Sequence, residues 1–368
     1  MNVPFYDLRA AHAELRDRLD DVHRRVMDSG CFLLGPETEA FEDEFAAYCG
    51  ARHCVTVSTG LDALTLALTA AGIGPGDEVI VPSHTFIATW LSVSATGARP
   101  VPVEPGPTDV NLDPARIEAA VTARTRAILP VHLYGHPADL EPIEDIATRH
   151  GLLVIEDAAQ AHGARHRGRR VGGGANTVAF SFYPGKNLGA TGDGGAVVTS
   201  DAQLAERVRL LRNYGSAVKY QHDIRGGNHR LDEYRAGVLR AKLPELDAWN
   251  ARRAVVAGRY LRDLDGIDGL ELPAVASWAD PVWHLFVVRV ADRDTLRKAL
   301  TADGIETGVH YPVPVHRTGA YADLGLPAGS LPRAEALSQQ VLSLPMGPHL
   351  SDTQIDRVVT GVRAALMA

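Results

Sequence analysis

Cysteine is scarce in this sequence, so few disulfide bonds and few cysteine-ligated metal sites are possible. The 368 residues include three cysteines, Cys31, Cys49 and Cys54, an odd number without the CxxC spacing of a zinc or redox site. We therefore expect reduced, structural thiols. The 15 histidines do not change this view, because pairs such as His132 and His136 lack a clustered acidic or thiol partner. The sequence predicts no metal site.

Long apolar runs and a surplus of positive charge are missing as well. No stretch approaches the roughly 20 apolar residues needed to span a bilayer, and the N-terminus lacks a basic segment followed by an apolar run. The 37 Lys and Arg residues are dispersed among 45 Asp and Glu residues, for a formal net charge of -8. No basic stripe is therefore available for a phosphate backbone. We expect a cytoplasmic protein that binds neither membranes nor nucleic acids.

What is present is an ordinary globular composition with a repeating strand and helix pattern. Hydrophobic residues make up 45% of the chain and charged residues 22%, which is enough for two domains with their own cores. From about residue 52 to residue 213, β-branched runs alternate with amphipathic stretches, which is typical of a mostly parallel sheet wrapped by helices. The predicted strands are residues 53–57, 78–82, 99–103, 127–132, 152–156, 177–182 and 195–199.

A different pattern begins in the second half of the chain. A long helical stretch over residues 232–261, with a break expected at Pro244, leads to one further strand pattern, one helix pattern and the turn-rich segment GVHYPVPVHR. This order predicts a smaller α+β domain. We therefore place a large domain at residues 1–247 and a small C-terminal domain at residues 248–368.

Lys186 is the first candidate for chemistry. It lies in SFYPGKNLG, after a buried strand pattern and between glycines that let the backbone approach a ligand closely. Ligands of open α/β sheets sit at the carboxyl ends of strands, so we expect Lys186 in a cleft. A partly desolvated amine there can form an imine with an aldehyde, because burial disfavours its charged form. Taken alone, Lys186 could equally be a surface lysine on a loop.

Asp157 is the second candidate, at the end of a buried strand pattern in LLVIEDAAQAHG. Alternation along the strand sends Glu156 and Asp157 to opposite sides. Pyridoxal phosphate requires a carboxylate against its pyridine nitrogen, because the protonated nitrogen makes the ring an electron sink. Asp157 can supply that charge. The alternative is that one or both carboxylates cap the following helix.

Two further strand ends carry features that suit the same cofactor. At Gly60 a strand gives way to a helix, so that unpaired N–H groups and the positive end of the helix dipole could bind a phosphate, with the Ser181 hydroxyl as a further donor. Such turns are common in α/β proteins, and the turn alone is weak support. Phe86 follows another strand, where its ring could lie on a flat ligand or pack in the core. Together with Lys186 and Asp157, these features match the requirements of pyridoxal phosphate.

The motifs STGLDAL, PSHTFIATW, EDAAQAHGA and SFYPGKNLGATGDGG resemble, in this order, the DegT/DnrJ/StrS family of pyridoxal-phosphate-dependent sugar aminotransferases. The similarity extends to GPETEAFEDEFAAYCGARH near the start and GVHYPVPVHRTGAY near the end, and thus covers nearly the whole chain. The resemblance implies the type I aminotransferase fold, which is an α/β fold. A mostly parallel seven-stranded sheet would form the large cofactor-binding domain, beside a smaller α+β C-terminal domain. It also implies a homodimer.

The resemblance assigns roles to matching positions. Lys186 would form the imine with the cofactor, and Asp157 would contact the pyridine nitrogen. The other contacts to the cofactor within the same subunit would be Gly60, Leu61, Asp62 and Ser181 at the phosphate, Phe86 on the ring and Gln160 near the ring oxygen. The nucleotide sugar would be bound by Tyr183, Lys219, Tyr220, His310 and Tyr311, each of which could equally be a packing or surface residue.

Asn228, in GGNHRLDEYRAG, matches an asparagine that in relatives reaches the cofactor phosphate of the neighbouring subunit. The sequence departs from the family's usual residues at His229 and at the pair Tyr234 and Arg235. The resemblance therefore implies active sites shared between two subunits, with Asn228 in place and its surroundings changed.

The implied reaction is a ping-pong transfer. An amino acid, with glutamate as the expected donor, leaves its amine on the cofactor as pyridoxamine phosphate, and a nucleotide-linked keto sugar then takes the amine. Lys186 would move the proton as general base and acid. FIATWLSVSATGA looks most similar to members that aminate carbon 3 of a dTDP-linked 3-keto-6-deoxyhexose, on the route to amino sugars of secondary metabolites such as antibiotics.

Three alternatives stay open at this point. The acceptor could be a 4-keto sugar or a cyclitol ketone, which product regiochemistry would separate. In another class, the chain could be a ligand-binding regulator without turnover. The intact Lys186 and Asp157 argue against the regulator, because loss of the lysine is the easiest way to lose transamination.

Overall fold

The computed structural model describes residues 2–107 and 109–367. Its strands are β1 (His53–Val57), β2 (Glu78–Pro82), β3 (Arg99–Val103), β4 (Thr125–Ile128), β5 (Leu153–Asp157), β6 (Arg165–His166), β7 (Arg169–Arg170), β8 (Thr177–Ser181), β9 (Gly195–Thr199), β10 (Leu270–Glu271), β11 (Ala279–Asp280), β12 (Phe286–Val290) and β13 (Val341–Leu344). Its helices are α1 (Leu8–Glu14), α2 (Arg16–Ser29), α3 (Pro36–Cys49), α4 (Gly60–Ala70), α5 (Ala88–Ala95), α6 (Pro114–Ile117), α7 (Leu140–His150), α8 (Ala202–Arg212), α9 (Glu233–Lys242), α10 (Leu246–Asp263), α11 (Arg293–Ala302), α12 (Pro332–Gln340) and α13 (Asp352–Met367). Within the described ranges, no helix has the length and apolar character to cross a membrane.

The central sheet has seven strands in the order β1-β9-β8-β5-β4-β2-β3. Strands β3, β2, β4, β5 and β8 run parallel, and β9 runs antiparallel to both of its neighbours, β8 and β1. This confirms the predicted mostly parallel α/β sheet. Because β1, β2, β5 and β8 point the same way, their carboxyl ends meet at one edge.

The strand bounds differ most from the prediction at β4. The sequence predicts residues 127–132, whereas the strand ends at Ile128. Leu129 still donates its N–H to the carbonyl of Ile80 at 2.8 Å, but Pro130 follows and has no N–H to continue the ladder. The apolar run is therefore longer than the strand. The residues after Pro130 are buried but do not continue the regular hydrogen-bond ladder of the sheet.

The sheet is covered on both faces, which explains why the residues in its middle strands are mostly apolar. On β8, Ala179 packs into a core with Leu64 of α4, whereas Phe180 packs into a second core with Phe41 and Phe45 of α3. A strand between two helical layers has no polar face. The strand ends, where polar residues begin, are therefore the places at which this sheet can meet a ligand.

The predicted long helix is broken where proline was expected to break it. Helix α9 ends at Lys242, a 3₁₀ turn covers Leu243–Glu245, and α10 begins at Leu246. Pro244 lacks the N–H of a regular helix. Helix α10 then runs from the core beside α3, which contains Leu246, into a separate C-terminal core that contains Tyr260.

The C-terminal core is built on the antiparallel sheet β10-β12-β13. Val3, from the start of the chain, is buried in this core. It donates its N–H to the carbonyl of Gly304 at 2.9 Å and accepts from the N–H of Glu306 at 3.0 Å. These contacts attach the first residues of the chain to the C-terminal core. The domain division after residue 247 stays a prediction.

Candidate active site

A cavity of about 460 Å³ opens where the carboxyl ends of the parallel strands face the C-terminal core. The predicted site residues that line it are Gly60, Leu61, Phe86, Asp157, Gln160, Ser181, Tyr183, Lys186, His310 and Tyr311. The parallel strand directions explain this convergence, because each residue lies at or just beyond a strand's carboxyl end or in the segment packed opposite. The remaining predicted residues, which lie off its wall, are Asp62, Lys219, Tyr220 and Asn228.

Asp157 ends β5 with its carboxylate on the cavity side, and its side chain is held from two directions. Thr89 donates its hydroxyl to Oδ2 at 2.9 Å, and the N–H of Ala159 donates to Oδ1 at 3.1 Å. Burial raises the pKa of Asp157, and these hydrogen bonds and the charge of Lys186 oppose the rise. Asp157 is thus a buried carboxylate that a cationic ligand would stabilise in its charged form.

Glu156 points to the other side of β5, as the alternation along the strand predicts. Its carboxylate contacts Nε2 of the buried His132 at 2.8 Å and accepts from the side-chain amide of Asn176 at 2.8 Å. The N–H of Ala138 donates to Nδ1 of His132, so Nε2 carries the ring proton in the neutral imidazole. The two adjacent carboxylates therefore separate into one that faces the cavity and one that stabilises the turn behind it.

Lys186 lies in a tight turn after β8, in which its N–H donates to the carbonyl of Tyr183 at 2.9 Å. Burial lowers the pKa of its amine to about 8, and the charge of Asp157 opposes this lowering. No hydrogen-bond partner of Nζ is found in the described part of the chain. A substantial fraction of the amine is therefore neutral near pH 8, and a neutral amine can act as a nucleophile or as a base.

Helix α4 begins at Gly60 with two free donors. Its first turn uses the N–H of Asp62, which donates to the side chain of the N-cap residue Thr59 at 2.9 Å. The N–H groups of Gly60 and Leu61 have no acceptor within the described ranges. A Cβ at position 60 would lie 2.5 Å from Cβ of Ser181, so only glycine lets α4 approach β8 this closely. The two N–H groups and the Ser181 hydroxyl form a small cradle suited to an anion.

Asp62 turns its carboxylate away from this cradle. Its Oδ1 lies 3.1 Å from Nδ1 of His229, and its Oδ2 accepts a hydrogen bond from the hydroxyl of Ser58. A phosphate contact through Asp62 stays a prediction, and its N–H is already bonded to Thr59. His229, one of the departures from the family pattern, has a structural role here. Its contact with Asp62 connects the segment that contains Asn228 to the start of α4.

Aromatic and amide side chains form the opposite wall. Phe86 is 51% exposed, and its ring centroid lies 5.4 Å from that of Tyr311 at an interplanar angle of 37°. Gln160 donates its amide to the Tyr311 hydroxyl at 3.1 Å and accepts the N–H of Tyr134 at 2.6 Å. The wall thus combines an accessible aromatic face with an amide held in one orientation, which suits a flat, partly polar ring.

His310 and Tyr311 reach the cavity from the C-terminal side. The Nδ1 atom of His310 lies 2.8 Å from the Ser343 hydroxyl, and its carbonyl accepts a hydrogen bond from the buried hydroxyl of Tyr134. Burial lowers the pKa of His310 to about 4, helped by the charge of Lys186. His310 is therefore a neutral residue at the pH of the cell, and Tyr134 joins the two sides of the cavity.

Lys219, Tyr220 and Asn228 lie on an exposed segment outside this cavity. Tyr220 is 82% exposed, and Nζ of Lys219 lies 5.2 Å from the centroid of its ring. The side chain of Asn228 accepts a hydrogen bond from Nε of Arg230 at 3.0 Å. These three residues do not join the other predicted ones at the cavity of this chain, and their roles stay predictions.

Several residues that line or support the site were not predicted from the sequence, and Thr89, Tyr6 and His284 are the polar ones that matter most for its chemistry. Thr89 contacts Asp157 but does not line the cavity. It lies three residues after Phe86, so the spacing of one helical turn could have indicated that it lies near the same strand end. Tyr6 and His284 line the cavity but carry no local signal. They come from the first residues of the chain and from the segment before β12, and only the packing of the C-terminal core brings them to Lys186.

The sequence profile of the DegT/DnrJ/EryC1/StrS aminotransferase family matches residues 14–363. The chain is 62% identical over 364 residues to the erythromycin biosynthesis sensory transduction protein EryC1 of Saccharopolyspora erythraea, covering 99% of this chain and 100% of that protein. It is also 62% identical over 361 residues to the dTDP-3-amino-3,4,6-trideoxy-alpha-D-glucose transaminase of Streptomyces venezuelae, covering 98% and 95% of the two chains.

A similar fold is known from crystallography. The structure of DesV from S. venezuelae in complex with a ketimine intermediate superimposes with a TM-score of 0.98 at 61% identity. The superposition covers 99% of this chain and 98% of DesV. The agreement over nearly the whole chain confirms the predicted aminotransferase fold.

Proposed function

The chain belongs to the DegT/DnrJ/EryC1/StrS aminotransferase family, and we propose that it transfers an amino group from glutamate to carbon 3 of a dTDP-linked 3-keto-6-deoxyhexose. It is an aminotransferase that depends on pyridoxal phosphate. The observation that carries the proposal is the meeting of Lys186 and Asp157 at one cavity of suitable size. The choice of carbon 3 is supported by the 62% identity to a transaminase named for a dTDP-3-amino sugar.

The residues of the cavity fit pyridoxal phosphate. Its phosphate would be held by the N–H groups of Gly60 and Leu61 and by the Ser181 hydroxyl, at the positive end of α4. Its ring would lie against Phe86, with the Asp157 carboxylate available to the pyridine nitrogen. When bound, the cofactor supplies a carbonyl carbon that exchanges an amino group and a ring that stabilises negative charge.

The protein's own residues orient the reactants and move protons. Asp157 would keep its negative charge beside the cofactor's cationic ring nitrogen, because an ion pair there would offset the cost of burial. Lys186, with its pKa lowered to about 8, can take a proton in its neutral form and return it as an ammonium. Both steps need a base whose pKa lies near the working pH, and burial of Lys186 provides this.

The protein named for sensory transduction among the relatives raises the alternative of a regulator without turnover. A protein that only bound a ligand would not need an accessible amine of lowered pKa beside a buried carboxylate. Both groups are present here. We therefore assign catalysis as the function of this cavity. Its reaction partners would be the amino-acid donor and the nucleotide-linked sugar, with no nucleic acid or membrane involved.

A cytoplasmic location is part of the proposal. It is supported by Cys49 and Cys54, which are buried and unpaired, as is usual in a reducing compartment.

Incubation with glutamate and a panel of nucleotide-linked keto sugars tests the proposed function. We expect the purified protein to be yellow from bound cofactor, glutamate to change its absorption spectrum, and NMR of the sugar product to locate the new amine at carbon 3. An amine at carbon 4, or on a cyclitol, would replace the proposed acceptor and leave the aminotransferase assignment intact. A spectrum that glutamate does not change would speak against glutamate as donor.

We also propose a homodimer with shared active sites. The support comes from the exposed segment that carries Lys219, Tyr220 and Asn228, three residues predicted to act at a site yet outside the cavity of their own subunit. The same surface exposes apolar side chains that usually become buried in an interface. They are Phe32, Leu33, Tyr214, Val218 and Tyr220. Backbone pairing of Leu33 with Asp232 joins the two parts of this surface.

Mixing two damaged subunits tests the shared site. Lys186→Ala subunits would be combined with Asn228→Asp subunits, whose new charge would repel a neighbour's phosphate. Random pairing makes half of the dimers mixed, and each mixed dimer has one intact site if Asn228 serves its neighbour. Activity should then return to about a quarter of the wild-type level. If Asn228 serves its own subunit, mixed dimers verified by mass spectrometry will show no recovery. Each parent remixed with itself is the control.

A further inference from the structure

His284 lies before β12, is 4% exposed and lines the cavity together with Lys186. Its Nδ1 atom lies 3.1 Å from Oδ1 of Asn187, the residue that follows Lys186 in the chain. No partner of its Nε2 atom is found in the described residues, and Nε2 is absent from the fully buried, unpaired polar atoms. The small exposed part of this imidazole therefore includes Nε2, on the cavity side.

The amide of Asn187 determines which ring nitrogen of His284 carries the proton, and two backbone carbonyl groups fix the orientation of that amide. Asn250 donates its amide to the carbonyl of His162 at 2.8 Å, which leaves its oxygen to accept from Asn187 at 2.9 Å. Asn187 also donates to the carbonyl of Val282 at 2.9 Å. Its nitrogen is thus the donor in both contacts, and its oxygen can only accept. Nδ1 of His284 must be the protonated nitrogen, and Nε2 has a free lone pair.

The charge state of His284 decides what this lone pair can do. Burial holds the pKa of His284 well below its ordinary value, and the positive charges of Lys186 and Arg253 lower it further. A second proton on this ring would therefore be unfavourable. His284 can accept a hydrogen bond in its neutral form but is poorly suited to carry a proton as an imidazolium.

We propose that His284 is a positioning residue for Lys186: its Nε2 lone pair, directed by Asn187, accepts a hydrogen bond from the Lys186 ammonium whenever the cofactor does not engage that amine. Lys186 is the donor because it lines the same cavity as His284, its Nζ has no hydrogen-bond partner in the described ranges, and its positive charge lowers the pKa of His284. The described residues show no hydrogen bond between Nζ and Nε2, so a change of the Lys186 rotamer would form it. The bond would hold the free lysine near the reacting atoms between its two proton transfers. The kinetic part of the inference rests on the proposed function, and the part that concerns the lysine itself does not.

The ionisation of Lys186 in the cofactor-free protein tests the proposal without any turnover. Competitive acetylation across a pH series, read by peptide mass spectrometry, measures the pKa of this amine. An acceptor stabilises the ammonium, so His284→Leu should lower the pKa of Lys186 by about one unit. His284→Gln, which keeps an acceptor near the position of Nε2, should restore most of the wild-type value. His150→Leu, at an exposed histidine on α7, should have no effect.

The sign of the change separates the proposal from a packing role. If His284 only excluded water, its removal would expose Lys186 and raise the pKa, and either a rise or no change in His284→Leu would overturn the proposal. Imidazole ¹⁵N NMR of the wild type, with the signal assigned by its loss in His284→Gln, should show a proton on Nδ1. A proton on Nε2 would overturn it as well.

The kinetics provide a second readout. Because Lys186 serves both the donor and the acceptor half-reaction, His284→Leu should slow the two by a similar factor, about tenfold, with little change in either KM. Slowing confined to the sugar half-reaction would show that His284 binds the substrate instead. Failure of the proposed sugar as acceptor would leave the pKa measurement unaffected, so the two proposals can fail separately.

Discussion

Replacement of Lys186 with alanine should lower the steady-state rate of amino transfer by about four orders of magnitude. The change removes the proposed nucleophile and the proposed base in one residue, and no second lysine lines the cavity in the described residues. The phosphate cradle and the Asp157 carboxylate remain, so the variant should still bind pyridoxal phosphate without a covalent link. Stopped-flow absorbance and steady-state product formation measure the two effects.

Lys298→Ala is the matched control for this experiment. Lys298 lies exposed on α11, and its loss should leave the rate unchanged. Turnover by Lys186→Ala within tenfold of the wild-type rate would contradict the assigned role. Recovery of part of the lost activity by an added primary amine would support it, because a free amine can replace the missing base.

Replacement of Asp157 with asparagine should lower the rate by about a thousandfold. The fold should survive, because an asparagine amide can accept from the N–H of Ala159 and donate to the hydroxyl of Thr89, which now donates to Asp157. The substitution removes the negative charge that we propose keeps the pyridine nitrogen protonated. We therefore expect a large loss in rate with an unchanged melting temperature and a modest change in cofactor affinity.

The substitution Asp265→Asn, at an exposed residue in the turn after α10, controls for the loss of one negative charge. Near-normal rates in Asp157→Asn, with bound cofactor verified by absorbance, would show that another group partners the nitrogen. If the rate falls as expected, isothermal titration of the cofactor-free variant will separate weak cofactor binding from slow chemistry.

The side-chain directions of Glu156 and Asp157 show how much a local sequence pattern can predict. Alternation along β5 predicted that Glu156 and Asp157 diverge, and the structure has one at the cavity and the other bound to His132. The prediction succeeds because a strand sends successive side chains to opposite sides regardless of its neighbours. The end of β4 was wrong by four residues, because apolar character continues past Pro130 whereas hydrogen bonding does not.

The positions of Asp62 and His229 show where motif matching stops. The motif that contains Asp62 starts α4 as expected, but whether a carboxylate in a first helical turn faces the ligand depends on what stands beside it. Here the carboxylate of Asp62 contacts His229 and Ser58 and does not line the cavity. His229 comes from a segment more than 160 residues further along the chain, so no local spacing could have indicated the pairing.

The sequence by itself determined the order of strands and helices and the residues that follow β1, β2, β5 and β8, because buried strands must be apolar and parallel strands bring their carboxyl ends to one edge. Lys186, Asp157, Gly60 and Phe86 meet for that reason. Only the tertiary structure decided that His284 and Tyr6 join them. Their positions result from the packing of the C-terminal core against the sheet, which depends on side-chain shape and hydrogen bonding across long sequence separations and leaves no periodic trace in the chain.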